Sequence, residues 1–244
     1  MDKSLFSLTE RSYDVVYFGG VAVELNLSFD NILLMFQLFD DATVRENQKP
    51  ITALHMLVVE NSLLAQLDTT QKMDLLKLIF REKLNVELEK DGKKGELESN
   101  QLHTDSSPGG EDKDEESSSV PVVDFTIDAE RIYSSFLYDY RIDLIEQQGK
   151  LLWNQFIALF NNLSDDTQMK IAIKHRTSEI PKKTKENADE VKHARKMKEH
   201  YELPQAKAQR EAQQLKEFQQ QQEARKRAIR EMGLAQKANA SEQE

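Results

Sequence analysis

The sequence predicts a mainly α-helical fold: a helical domain with an N-terminal β-hairpin, a disordered acidic insertion and an extended charged C-terminal helix. Three observations carry this. Apolar residues recur at steps of three and four between Ala129 and Thr177. Gly19-Gly20 separates two β-rich runs. Residues 88–122 offer Gly, Ser, Pro and acidic side chains with almost nothing apolar, and such a stretch does not offset the entropy of ordering its backbone.

The hairpin is read from DVVYFGGVAVELNL (14–27), in which Val21, Val23, Leu25 and Leu27 alternate with Ala22, Glu24 and Asn26. A lone hairpin is marginal in water, so it is expected to lie on helices. Ser28 or Asp30 is a candidate cap for a first helix through Phe39, apolar on nearly all sides and expected to be central. Pro50 suits the first turn of a second helix reaching about Leu64. Thr69 or Thr70 can cap a third, with Met73, Leu76, Phe80 and Leu84 on its stripe.

After the insertion, Asp128 is a candidate cap and Ala129, Ile132, Phe136 and Tyr140 form one stripe. Gly149 suits a helix end or sharp bend, beyond which Trp153, Ile157 and Phe160 adjoin a face made by Leu152, Phe156, Leu159 and Leu163. Ser164 to Thr167 supply a cap and acidic first turn for a helix to about Thr177, which Pro181 ends. The expected core therefore centres on Ile132, Phe136, Tyr140, Trp153, Phe156 and Phe160. The organisation is 1–87 (hairpin and helices), 88–122 (linker), 123–203 (helical core packing with 1–87 as one domain) and 204–244 (Gln-rich helical tail). Because closure entropy grows only logarithmically with loop length, deleting 90–120 is expected to be nearly neutral.

The tail, about Lys185 to Met232, has eight Gln between Gln205 and Gln222 and reads as exposed helix broken at Pro204. Its stripe of Ala208, Ala212 and Leu215 lapses at Gln219 and Gln222, too thin for a stable coiled coil. Net charge is −10, yet Lys170 to Arg230 hold 17 Lys/Arg against 9 Asp/Glu. Opposed acidic and basic regions favour contact with an oppositely charged partner, or head-to-tail self-association into a homo-oligomer.

No phosphate-binding loop, dinucleotide fingerprint or nucleophile elbow is present, and there is no cysteine for a thiol nucleophile or Cys-ligated zinc. The five His (55, 103, 175, 193, 200) fall in different expected elements, apart from His193 and His200, which are about 10 Å apart along one helix. Asp165-Asp166 reads as capping chemistry before it reads as a catalytic pair. No catalytic, cofactor or metal residue is expected. The basic run from Lys174 to Lys198 has some nucleic-acid character, but Glu179, Glu186, Asp189 and Glu190 interrupt the stripe that phosphate tracking needs. The longest apolar stretches fall short of the ~20 residues that span a bilayer, and the N-terminus lacks the apolar segment of a signal peptide. A soluble intracellular protein without membrane contact is expected.

LNLSFDNIL (25–33), DLIEQQGKL (143–151), WNQFIAL (153–159), LSDDT (163–167) and RTSEIP (176–181) resemble the bacteriophage gene-product-fifteen (Gp15) family of tail modules in phages and prophages of Gram-positive bacteria. The likeness runs from about residue 8 to 203; the acidic linker and the tail after Leu203 depart from the family's usual form. What the resemblance implies is positional, a slot between the major tail protein and the tape measure protein. That slot commonly encodes a non-enzymatic tail assembly chaperone acting in the host bacterial cytoplasm, with the tape measure protein and the major tail (tube) protein as partners. Lys196, Leu203, Leu215 and Phe218 are the residues expected to face a client. The alternatives are a minor structural component of the virion tail and a nucleic-acid-binding phage regulator.

Overall fold

A hairpin turn with positive φ at both central residues favours glycine, and Gly19 and Gly20 sit at φ 58° and 83°. They join β1 (Val15–Phe18) to β2 (Val21–Glu24), antiparallel, with Val16 opposite Val23 and Phe18 opposite Val21. The computed structural model describes residues 14–85 and 121–241, with side chains to Arg227. Nearly all of the insertion expected at 88–122 lies outside the described residues, as do 1–13, 86–87 and 242–244.

The extended run that begins in β2 continues past it as the spine of the first unit. On one side Val59 N–H donates to the Glu24 carbonyl (3.0 Å) and Asn26 N–H to that of Leu57 (2.7 Å). Farther along, Phe29 N–H donates to Leu151 O (3.0 Å) and Trp153 N–H to Leu27 O (2.8 Å). These form the bridges Leu25–Val58 and Ser28–Leu152. Leu25 and Leu27 point into the core, continuing the alternation that Val23 begins, whereas Val21, at the turn, is exposed.

The bridge corrects one expectation. α2 (Lys49–Leu57) stops seven residues before Leu64, because Val58-Val59 is taken as a strand partner by 24–26, and α3 (Asn61–Gln66) restarts beyond it. α1 (Phe29–Asp40) buries Phe29, Ile32 and Met35 but leaves Leu34 more than half exposed, so it lies at the edge of the core. Ser28 occupies its cap position without capping; its hydroxyl donates to Asn26 Oδ1 (2.9 Å). In α4 (Thr69–Ile79) the cap is Asp68, one residue before the expected threonines, in a reciprocal box with Gln71. A π-helical turn, Phe80–Leu84, extends the stripe and ends at left-handed Asn85; Leu76, Phe80 and Leu84 are buried and Met73 half-buried.

Lys49 is a buried cation at the start of α2. Its Nζ donates to the Phe39 carbonyl at the end of α1 (2.8 Å) and to Glu46 Oε1 (2.6 Å), so it serves as a C-terminal cap for its neighbour. Lys49→Met keeps much of the stem's packing while removing that donor, and is expected to cost about 1–3 kcal/mol in urea unfolding.

α5 (Ala129–Tyr140), α6 (Trp153–Asn161) and α7 (Gln168–Thr177) complete the first unit. Ile132, Phe136, Trp153, Phe156 and Phe160 are buried; Tyr140 is half-buried and donates its hydroxyl to the Leu159 carbonyl (2.9 Å). Phe156 is the hub, stacked on Phe29 and Phe136 with both centroids 5.1 Å away and on Trp153 at 5.5 Å. Gly149, at φ 70°, makes the expected bend, and its N–H donates to Asp30 Oδ1 (2.8 Å). Open space surrounds the position a Cβ would take, so Gly149→Ala isolates the left-handed backbone penalty, expected at about 1–2 kcal/mol in thermal unfolding.

Two caps differ from the sequence reading. Thr167 caps α7, accepting from Lys170 N–H, while Asp165 and Asp166 are exposed in the turn before it. Asp128 sits at the start of α5 without bonding that helix's free N–H groups, because its carboxylate faces Arg176 of α7 (2.6 and 2.8 Å) and Arg131 (2.8 Å). Arg176 also donates to the Val122 carbonyl (2.8 Å), and Val123 and Phe125 of the same segment pack into the core. Burial pushes the Asp128 carboxyl up, but hydrogen bonds from Arg176, the Asp124 N–H and Arg131 outweigh it and hold the group below its usual value.

The chain divides into compact units at Ser178, so residues 179–203, grouped from sequence with the core, belong to the second unit. The reason is local: 177–186 is exposed throughout, and helix resumes only at α8 (Ala188–Tyr201). Pro204 opens α9, which runs to Ser241.

Candidate interaction surface

The second unit is built from charge and capping more than from apolar burial. Asn187 at the start of α8 ties in the preceding loop, accepting from Thr184 N–H (2.7 Å) and donating to the Lys182 carbonyl (3.0 Å). Asp189 and Glu190 lie in the first turn of α8 and Lys198 in the last, each sign matched to the helix dipole. Across the bend at Leu203-Pro204, Arg210 of α9 grips Glu202 with two parallel hydrogen bonds (2.9 and 2.8 Å). Those bonds draw the Glu202 carboxyl below its ordinary pKa and raise that of Arg210.

The residues expected to face a client divide into two groups. Lys196 is exposed on α8, and Leu215 and Phe218, each 58% exposed, lie one turn apart on α9. Leu203 is the correction: at 2% exposure it is a buried residue at the bend, and offers no surface to a partner. Every position from Glu211 to Gln220 is exposed, so α9 presents two large apolar side chains on an otherwise polar helix. Such a helix gains little from its own side chains and is suited to lay that face on another surface.

A second surface was not read from the sequence. At the end of α5, Leu137 and Tyr138 point away from the stripe of Ile132, Phe136 and Tyr140, and Tyr138 is 62% exposed. Two turns flank them. Ser164, in the turn before α7, is held by Asp139, whose carboxylate accepts from its N–H and its hydroxyl (both 2.7 Å). On the other side Tyr133 donates to Asp143 (3.2 Å), which anchors the turn carrying Ile145, 64% exposed. The available signal was that Leu137 and Tyr138 fall off the three-four spacing of the buried stripe.

Among the described residues, the buried charges of Lys49 and Asp128 are engaged within the fold. Among the described residues no three His, Asp or Glu are grouped to hold a metal ion, and no helix is long and apolar enough to cross a membrane.

No curated protein and no solved structure matches the chain. A family model does, over a span that takes in the hairpin, the aromatic core and α8 and stops at the bend in front of α9. Residues 8–203 match the family described as Bacteriophage Gp15 protein, and the chain belongs to that bacteriophage family.

Proposed function

We infer that this protein is a non-enzymatic phage tail assembly protein, a chaperone that holds the tape measure protein soluble in the host bacterial cytoplasm while subunits of the major tail (tube) protein polymerise along it. The observation that carries the reading is α9: a polar helix with Leu215 and Phe218 exposed, beginning where the match to the phage family ends. A chaperone of a long helical client works through many weak contacts per complex, and an exposed helical arm on each of many copies supplies them without a deep groove. The interrupted charge pattern of α8, with Asp189, Glu190 and Glu199 among its lysines, argues against a phosphate-tracking role.

Co-expression with the tape measure protein encoded beside it, followed by pull-down and mass spectrometry of mature virions, tests the reading. A soluble complex that is lost with Leu215→Glu/Phe218→Glu, together with absence from virions, is the expected result. Presence in virions would make the protein a structural tail component. No complex with the tape measure protein would remove the chaperone assignment.

A further inference from the structure

We propose that the end of α5 and its two flanking turns form a docking face for α9 of a second copy of this chain, so that copies join head to tail. Leu137 and Tyr138 supply the apolar centre of the face, and exposed Ile145 lies on the turn that Tyr133, one helical turn before Leu137, holds through Asp143. The Asp139–Ser164 hydrogen bonds set the exposed pair Asp165 and Asp166 on one side, and the Tyr133–Asp143 bond sets the turn bearing exposed Glu146 on the other. An apolar patch rimmed by carboxylates fits an apolar pair rimmed by cations.

α9 has that pattern. Lys207, eleven residues before Phe218, and Arg225, seven after it, are each close to a whole number of turns away, so they lie along the face that Phe218 and Leu215 present. Glu211, seven before Phe218, interrupts the face, and Arg141 at the end of α5 offers it a counter-charge. The larger balance agrees in sign: residues 179–244 hold 15 Lys/Arg against 12 Asp/Glu, whereas residues 1–178 hold 18 against 31. Exposed aromatic and aliphatic side chains at the centre and opposed charges at the rim are the composition of an association surface.

Because face and arm are different surfaces, one contact between two copies leaves a face and an arm to be filled, either by further copies or by a reciprocal exchange of arms between the same two. The inference shares the arm with the proposed client contact and deepens it: in the absence of client the arm rests on a neighbouring copy, and a client helix displaces it. Its test contains no tape measure protein, so its failure leaves the chaperone reading standing and the reverse also holds.

Sedimentation velocity of the full chain is expected to show concentration-dependent association that weakens as salt rises from about 0.1 to about 1 M, over which the screening length falls from about 10 to about 3 Å. Leu137→Lys/Tyr138→Lys removes the face and Leu215→Glu/Phe218→Glu the arm; all four positions are exposed, so circular dichroism should match the wild type. Each variant alone is expected to be monomeric. Mixed in equal amounts, they are expected to form a single 1:1 complex, since one retains the arm and the other the face. A wild-type monomer at all concentrations, persistent oligomers in either variant, or a mixture that stays monomeric would each overturn the proposal.

Discussion

Phe156→Ala is expected to cost about 3–5 kcal/mol, a large part of the about 5–15 kcal/mol by which a domain is usually stable. The effect is concentrated there because Phe156 joins parts of the chain that nothing local holds together. Its ring stacks on Phe29 from α1 and on Phe136 from α5, while Trp153, Phe160 and Phe125 close around it at 5.5–6.2 Å. Truncation removes the shared partner of five rings, and relaxation of any one of them opens a gap beside the others. Guanidinium unfolding followed by Trp153 fluorescence measures it. A loss under about 1 kcal/mol would mean that the cluster repacks, and that Phe156 is not its hub.

Arg176→Met is expected to cost about 3 kcal/mol, the low end for a broken buried pair, because the carboxylate loses its buried cation but keeps Arg131 and the Asp124 N–H. Asp128 is fully buried, and Arg176 supplies two of its hydrogen bonds. The decisive comparison is the double variant: Arg176→Met with Asp128→Asn removes both charges and is expected to recover a substantial part of the loss, a coupling that chemical denaturation of the four proteins measures directly. The pH dependence has a fixed sign. Since the folded carboxyl titrates below its ordinary value of 3.8, the stabilisation is fully present above that value and is lost as pH falls through the lower, folded one. Wild-type protein is therefore expected to lose stability below about pH 4, and the double variant to lose less of it there.

The parts of the fold legible in the sequence are those governed by neighbours along the chain. Gly-Gly between alternating residues specifies the hairpin, and the three-four spacing of Ile132, Phe136, Trp153, Phe156 and Phe160 specifies the core. What escaped is set by partners far away. Val58-Val59 reads as the middle of a helix until Leu25 is beside it, and Asp128 reads as a helix cap until Arg176, 48 residues on, claims its carboxylate. Leu203, expected to face a client, is likewise buried at the bend. Of the proposed interaction surface, Leu215 and Phe218 stand out in sequence as isolated apolar residues in a Gln-rich helix. Tyr138 was hidden among the aromatic residues of the core, from which only its helical phase separates it.

The bridge between Ser28 and Leu152 has a consequence for how this protein is made. A ribosome releases Phe29 well before Phe156, which lies 127 positions later, and at about 5–20 residues per second that stretch takes about 6–25 s to follow. During that interval the hairpin, α1 and α2 can form their own contacts, but the spine lacks its second partner and Phe29 its stacking face. The nascent N-terminal half thus exposes apolar surface for seconds; a pause in translation between the two halves would lengthen that exposure, and an early stop would release an aggregation-prone fragment. Docking of α6, followed by that of α7 with Met169 and Ile173, completes the native core.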